Sequence, residues 1–124
     1  MARAVKRFNQ RGGAQWLYEN VAGLRPGDAG YRTFTVRPDG RTGVTWARTS
    51  IRTVRGRAAV AWSKTGRDLR LTVRVPVGAT AEIHVPAQRQ EDVRAADGAE
   101  YLRTEPGFVV YRAGQGAWDF VGRG

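Results

Sequence analysis

Glu82 and His84 stand two residues apart in a segment that alternates without a break, Ala79-Thr80-Ala81-Glu82-Ile83-His84-Val85. In a strand, positions i and i+2 share a face. A carboxylate beside an imidazole can move a proton to or from a reacting group. On a flat outer sheet face, however, such a pair is far more often plain surface, and that is the reading adopted. The other carboxylates do not gather. Asp28, Asp39, Asp68, Glu91, Asp92, Asp97, Glu100 and Glu105 fall in expected turns or in one polar stretch, where a solvated loop acid is the ordinary outcome. Ser50 and Ser63 are the serine hydroxyls, and the sole histidine, His84, would have to serve either as base. Nucleophilic catalysis needs a base held against the nucleophile, and this spacing does not supply one. One histidine with no cysteine also falls short of a zinc site. No catalytic residue, metal ligand or cofactor is assigned from residue type and spacing.

Binding chemistry rests on the aromatic and basic residues. Trp46, Trp62, Trp118, Phe34, Phe108 and Phe120 fall mostly on the apolar phases of expected strands, which makes them core. Tyr31, Tyr101 and Tyr111 lie on the opposite phase or in a loop, and are the candidates for stacking on a sugar ring. The 21 basic against 11 acidic residues give a formal net charge of +10, which attracts polyanions. The basic set is 19 arginines and 2 lysines in a chain rich in Ala, Gly and Val. A GC-rich genome writes that bias, so arginine as a type says little about phosphate recognition. Arg11-Gly12-Gly13, Arg55-Gly56-Arg57 and Gly122-Arg123-Gly124 are short and scattered. Nucleic acid is the less favoured partner, through surface aromatics beside arginines.

The elements that position these residues follow from period. Leu69, Leu71, Val73 and Val75 interleave with Arg70, Thr72 and Arg74, and the segment around Glu82 does the same, so both are strands with one dry and one wet face. Further strands are expected at Tyr31–Arg37, at Val44–Arg48 with Val44 and Trp46 inward, around Ile51–Val54, and over Ala58–Trp62. Two more close the chain, Phe108–Tyr111 and Ala117–Val121. Pro38-Asp39-Gly40, Thr65-Gly66-Arg67-Asp68 and Pro76-Val77-Gly78 punctuate them as turns. Ala87 to Pro106 reads as a long polar loop with a short strand near Val93. Many short strands at near-regular spacing predict a β-sandwich.

Ahead of the strands the period changes. Trp16, Leu17, Val21 and Leu24 recur at three and four, which predicts a short helix ending near Ala22, with Gly23 at C′ and Pro26 beyond. Arg25 to Gly30 reads as a connector. The expected fold is therefore all-β, an antiparallel β-sandwich over 31–124 preceded by one short N-terminal helix within 1–30. At 124 residues this is one domain. The absence of an apolar h-region and of any span-length run gives an expectation of no membrane partner and a cytoplasmic or unassigned location.

Several of these stretches carry a resemblance. Gly43-Val44-Thr45-Trp46-Ala47-Arg48-Thr49-Ser50, then Val54-Arg55-Gly56-Arg57 and Trp62, resemble the C-terminal domain of bacterial α-L-rhamnosidases. So do Trp16-Leu17-Tyr18, Val21-Ala22-Gly23-Leu24, Tyr31 with Phe34, and Val75-Pro76-Val77-Gly78-Ala79-Thr80-Ala81 leading to His84-Val85-Pro86. The likeness runs from about Gln15 to Val121. It implies a small sandwich that follows a catalytic barrel of paired helices, with the final barrel helix carrying Trp-Leu-Tyr. The family resembles inverting glycosidases, whose two carboxylates stand roughly 6.5–9.5 Å apart and sit in the barrel. The pattern departs at Phe8-Asn9, which Gln10-Arg11 follows in place of the family's His-Tyr. No active-site role is carried onto those residues.

The resemblance implies a non-catalytic domain that braces or caps a barrel absent from this chain. Trp16 and Leu17 are the expected contacts to that barrel, or to a second copy of the chain. The first alternative is a carbohydrate-binding module for rhamnose-containing glycans, using Tyr31, Tyr101 or Tyr111. The second is a basic nucleic-acid-binding domain.

Overall fold

The computed structural model describes residues 22–27, 32–39 and 44–123. The strongest alternation gives the most regular strand. Over β5, Asp68–Val75, the four aliphatic residues Leu69, Leu71, Val73 and Val75 are buried, and the intervening arginines and threonine face solvent. Its hairpin partner β4, Gly56–Thr65, buries Ala58, Val60 and Trp62. The two-residue loop between them needs a positive φ at its first position, which Gly66 takes at 61°.

In chain order the other strands are β1 (Leu24–Pro26), β2 (Thr33–Val36), β3 (Trp46–Thr53), β6 (Thr80–Pro86), β7 (Val93–Arg94), β8 (Glu100–Glu105), β9 (Phe108–Ala113) and β10 (Gly116–Arg123). A 3-10 turn, Gln90–Asp92, precedes β7. Among the described residues the strands form two five-stranded sheets, β1-β2-β6-β9-β8 and β3-β4-β5-β10-β7. Phe34, Val36, Ile83 and Val85 from the first face Trp62, Leu71, Val73 and Phe120 from the second across one apolar core. Burying such side chains is worth about 1.5–3 kcal/mol each.

Four expectations are corrected. The segments expected as two strands, Val44–Arg48 and Ile51–Val54, are one strand, β3, because its residues pair continuously with β4 from Trp46↔Ser63 to Thr53↔Gly56. The polar stretch Ala87 to Pro106 is not all loop, since its last third is β8, paired antiparallel with β9. The connector expected from Arg25 begins as β1, whose Leu24 is wholly buried. The sandwich is not purely antiparallel either. β2 and β6 run parallel, Thr33↔Thr80 to Val36↔Ile83. Three strands of the other sheet, β3, β4 and β5, lie between them in the chain, so the pair is joined by a crossover through the second sheet.

Phase also differs at two aromatics. Trp46 lies opposite Ser63 on the outer face of β3, while Ala47, opposite Trp62, points inward. A large residue directly across from a small one fills the layer without a clash. Phe108 likewise lies on the outer face of β9, in the row of Pro86 and Glu105. The expected N-terminal helix lies outside the described residues. Gly23, expected at its C′ position, has φ +89°.

Candidate functional site

The Glu82–His84 pair belongs to β6, a central strand of the first sheet, on its outer face. Phase places His84 toward solvent, yet it is only 5% exposed. Three elements cover it. Phe108 of β9 packs edge-on, centroids 6.0 Å apart at 77°, and the Arg37 guanidinium lies 4.4 Å over that ring. Glu82 approaches the imidazole Nε2 at 3.1 Å, and Glu105 of β8 stands 3.8 Å from Nδ1. Arg103 of β8 ties the acids together, donating to Glu82 at 2.8 Å and to Glu105 at 2.8 Å. The histidine expected on a wet face is therefore enclosed by its neighbours' side chains.

The charges follow from this packing. With Nε2 donating to Glu82, Nδ1 is a buried acceptor with no hydrogen-bond partner. Burial pushes the imidazole pKa down, against a smaller upward pull from Glu82. The Arg103 hydrogen bond holds both Glu82 and Glu105 below the usual carboxylate range. A glycosidase acid must keep a proton near neutral pH, which takes a raised pKa. Both carboxylates here are shifted the other way, and they flank one imidazole instead of an open space for a sugar. The arrangement can rivet β6 to β8.

A pH dependence follows. A base whose folded pKa lies below its ordinary 6.5 stabilises the fold fully above that value and loses the contribution as pH falls through the folded pKa. The two lowered carboxylates act in the same sense at lower pH, losing their contribution below their ordinary 4.5. The urea midpoint is therefore expected to fall between pH 7.5 and pH 5, and His84→Gln to flatten that fall. An equally steep fall in the variant would show that His84 is not the group responsible.

The other expected site residues divide. Trp16, Leu17 and Tyr31 lie outside the described residues. Tyr111 is 4% exposed, on the core face of β9, with its ring 5.5 Å from that of Phe120. It offers no free ring face to a sugar, because Tyr111 shares the inward phase of Val109 and Ala113. Tyr101, at the sandwich rim, is 40% exposed. It meets Tyr111 edge-on at 6.0 Å, and its hydroxyl pairs with Thr104 at 2.7 Å. The two tyrosines form one inward-facing corner. Among the described residues there is no group of three or more His, Cys, Asp or Glu side chains able to hold a metal ion, and no helix long and apolar enough to cross a membrane.

Arg103 and Glu105 were not legible as partners of His84, because the register shift between Tyr101 and Arg103 breaks the alternation of β8. One signal for the strand was present. Glu105-Pro106-Gly107-Phe108 places Pro and Gly at the centre of a turn, and Gly107 has φ +84°, as a type II turn requires.

Fold and site together define an all-β sandwich domain with one outer face locked by ion pairs. Residues 23–100 match the family model described as the bacterial alpha-L-rhamnosidase C-terminal domain. The chain belongs to that family. It is 35% identical over 107 residues to an alpha-L-rhamnosidase of Streptomyces avermitilis, covering 86% of this chain and 10% of the relative. It is 32% identical over 80 residues to an alpha-L-rhamnosidase of Formosa agariphila, covering 64% and 9%. The crystal structure of the Streptomyces avermitilis enzyme complexed with L-rhamnose superposes with a TM-score of 0.80 at 33% identity, over 87% of this chain and 10% of that one. The alpha-L-rhamnosidase from Dictyoglumus thermophilum shares the fold, with a TM-score of 0.79 at 23% identity over 96% of this chain and 15% of that one. The chain thus spans about a tenth of the length of the relatives it matches.

Proposed function

We propose that this chain acts as a non-catalytic accessory domain of an α-L-rhamnosidase-like protein, bracing or capping the catalytic barrel that such a protein carries elsewhere. The observation that supports this best is the proportion of the match. Most of this chain aligns with only 10% of the Streptomyces relative, which leaves nearly all of an enzyme's length for the catalytic machinery. The state of Glu82 and Glu105 supports it from the other side, since an arginine holds both acids ionised. The partner is the barrel, reached through the residues before β1, where Trp16 and Leu17 supply apolar contact. No cofactor enters the reading.

The test is direct. The purified chain, incubated with an aryl α-L-rhamnoside, is expected to release no more aglycone than a heat-killed control. Release above that control, abolished by Glu82→Gln, would overturn the assignment and make Glu82 catalytic. A separately produced barrel from a relative should gain thermal stability on mixing with this chain if the bracing role is right.

A further inference from the structure

The outer face of the second sheet is used by neither the core nor the His84 cluster. Along β4 it presents Ala59 and Ala61, too small to fill the surface between their neighbours. β3 places Arg48 and Ser50 on one side, and β5 places Thr72 and Arg74 on the other. The result is an open trough of about 490 Å³. Its floor is methyl and hydroxyl groups, and an arginine stands at each of two diagonal corners. Arg48 shares a row with Ala61 and Thr72, whereas Arg74 shares the next row with Ala59 and Ser50. Two strand spacings across and two residues along put those Cα atoms about 12 Å apart. Trp46, on the same face, lies with its ring 5.8 Å from the Arg48 guanidinium and extends the floor.

The charge on this face is unbalanced. Arg52, Arg57 and Arg70 share it with Arg48 and Arg74. Against them this face sets Asp119, which accepts from the Thr72 hydroxyl at 2.9 Å, and Asp68, which is paired with Arg123 at 3.3 Å. Among the described residues neither Arg48 nor Arg74 has a carboxylate within ion-pair distance. The first sheet is the opposite case, for its Arg103 and Arg112 are each bound to glutamates.

We propose that this trough is a binding site for a polyanionic glycan, a sugar chain bearing carboxylate or sulfate groups. A saturated ring lies flat on a floor of small side chains, and guanidinium pairs with carboxylate or sulfate through two parallel hydrogen bonds. Single-stranded nucleic acid runs its bases over a series of aromatic platforms. This face carries one indole among its described residues, so the glycan is the better fit. The inference does not depend on the bracing role, because it concerns a surface that role leaves unused.

The test uses the full chain at low salt against polygalacturonate, dextran sulfate, neutral dextran and a thymidine oligonucleotide. Saturable binding to one or both charged glycans is expected, with none to neutral dextran, and which of them binds separates carboxylate from sulfate. Arg48→Ala with Arg74→Ala should weaken that binding at least about tenfold. Arg37→Ala with Arg112→Ala removes the same charge from the opposite sheet and should change it less than about threefold. Equal weakening by both pairs would reduce the effect to net charge and overturn the site. So would tighter binding of the oligonucleotide at the same ionic strength, or no saturable binding to either charged glycan.

Discussion

Trp62→Ala is expected to destabilise the chain by about 3–5 kcal/mol. Trp62 is 3% exposed and sits on β4, an interior strand of the second sheet, with Ala47 directly across on β3 and Leu71 across on β5. Truncation removes the largest side chain of that row. Ala47 cannot fill the void, and Leu71 is held by its own strand. A cavity therefore adds to the lost transfer energy. Domains of this size carry about 5–15 kcal/mol in total, so the variant should lie near the edge of folding. Its melting temperature is expected to drop by more than about 10 °C. Trp46→Ala is the matched comparison, with the same atoms removed at the first position of β3, on the outer face. It is expected to cost less than about 1 kcal/mol. Urea titrations of the two variants decide the matter, and equal losses would mean that the register of β3 on β4 is wrong.

That comparison shows why part of the fold was legible in the sequence and part was not. Strict alternation over Leu69–Val75 and Ala79–Val85 fixed both strands and their buried faces, because a period of two leaves no second choice of phase. Around Trp46 the alternation is weak, and bulk argued for turning the tryptophan inward. The deciding fact is the residue across the ladder, Trp62, which needs Ala47 beneath it. Cross-strand partners are set by register, and register is not a local property. β8 was lost for a related reason. It is an edge strand with a bulge, so Glu100 and Arg103 share an outer face although they are three residues apart.

The candidate site divided along the same line. That Glu82 and His84 share a face was legible from two-residue spacing. That the face is closed was not, because what closes it comes from β8, β9 and the end of β2. Of the two tyrosines expected to stack on a sugar, Tyr101 is exposed at the rim and Tyr111 is buried. Tyr111 follows Val109 in phase, and an aromatic at that position joins the core beside Phe120. The two outer faces then divide the charge. On the first sheet arginines neutralise glutamates and fasten strands. On the second, Arg48 and Arg74 stand beside alanines, with no carboxylate of the described residues within ion-pair distance.

Gly122→Ala is expected to destabilise by about 2 kcal/mol or more, from overpacking between sheets. Gly122 lies on β10, opposite Leu69 and Val93, and is buried. Its φ is not in the left-handed region, so a side chain costs no backbone strain there. Replacing glycine at a compatible position gains about 0.4–1 kcal/mol by restricting the unfolded chain. Space opposes that gain. A Cβ at this position would fall on the carbonyl oxygen of Pro86 in the other sheet and 2.7 Å from Val85 Cγ1. A side chain could rotate away, but a backbone carbonyl on a central strand cannot, so the sheets themselves would have to part. The clash outweighs the entropy. Gly114→Ala isolates the entropic part, since a Cβ there meets nothing within 4 Å, and it should be neutral or mildly stabilising. If the two alanine variants melt together, β10 and β6 do not approach as closely as the packing requires, and the inward face of β10 would have to be redrawn.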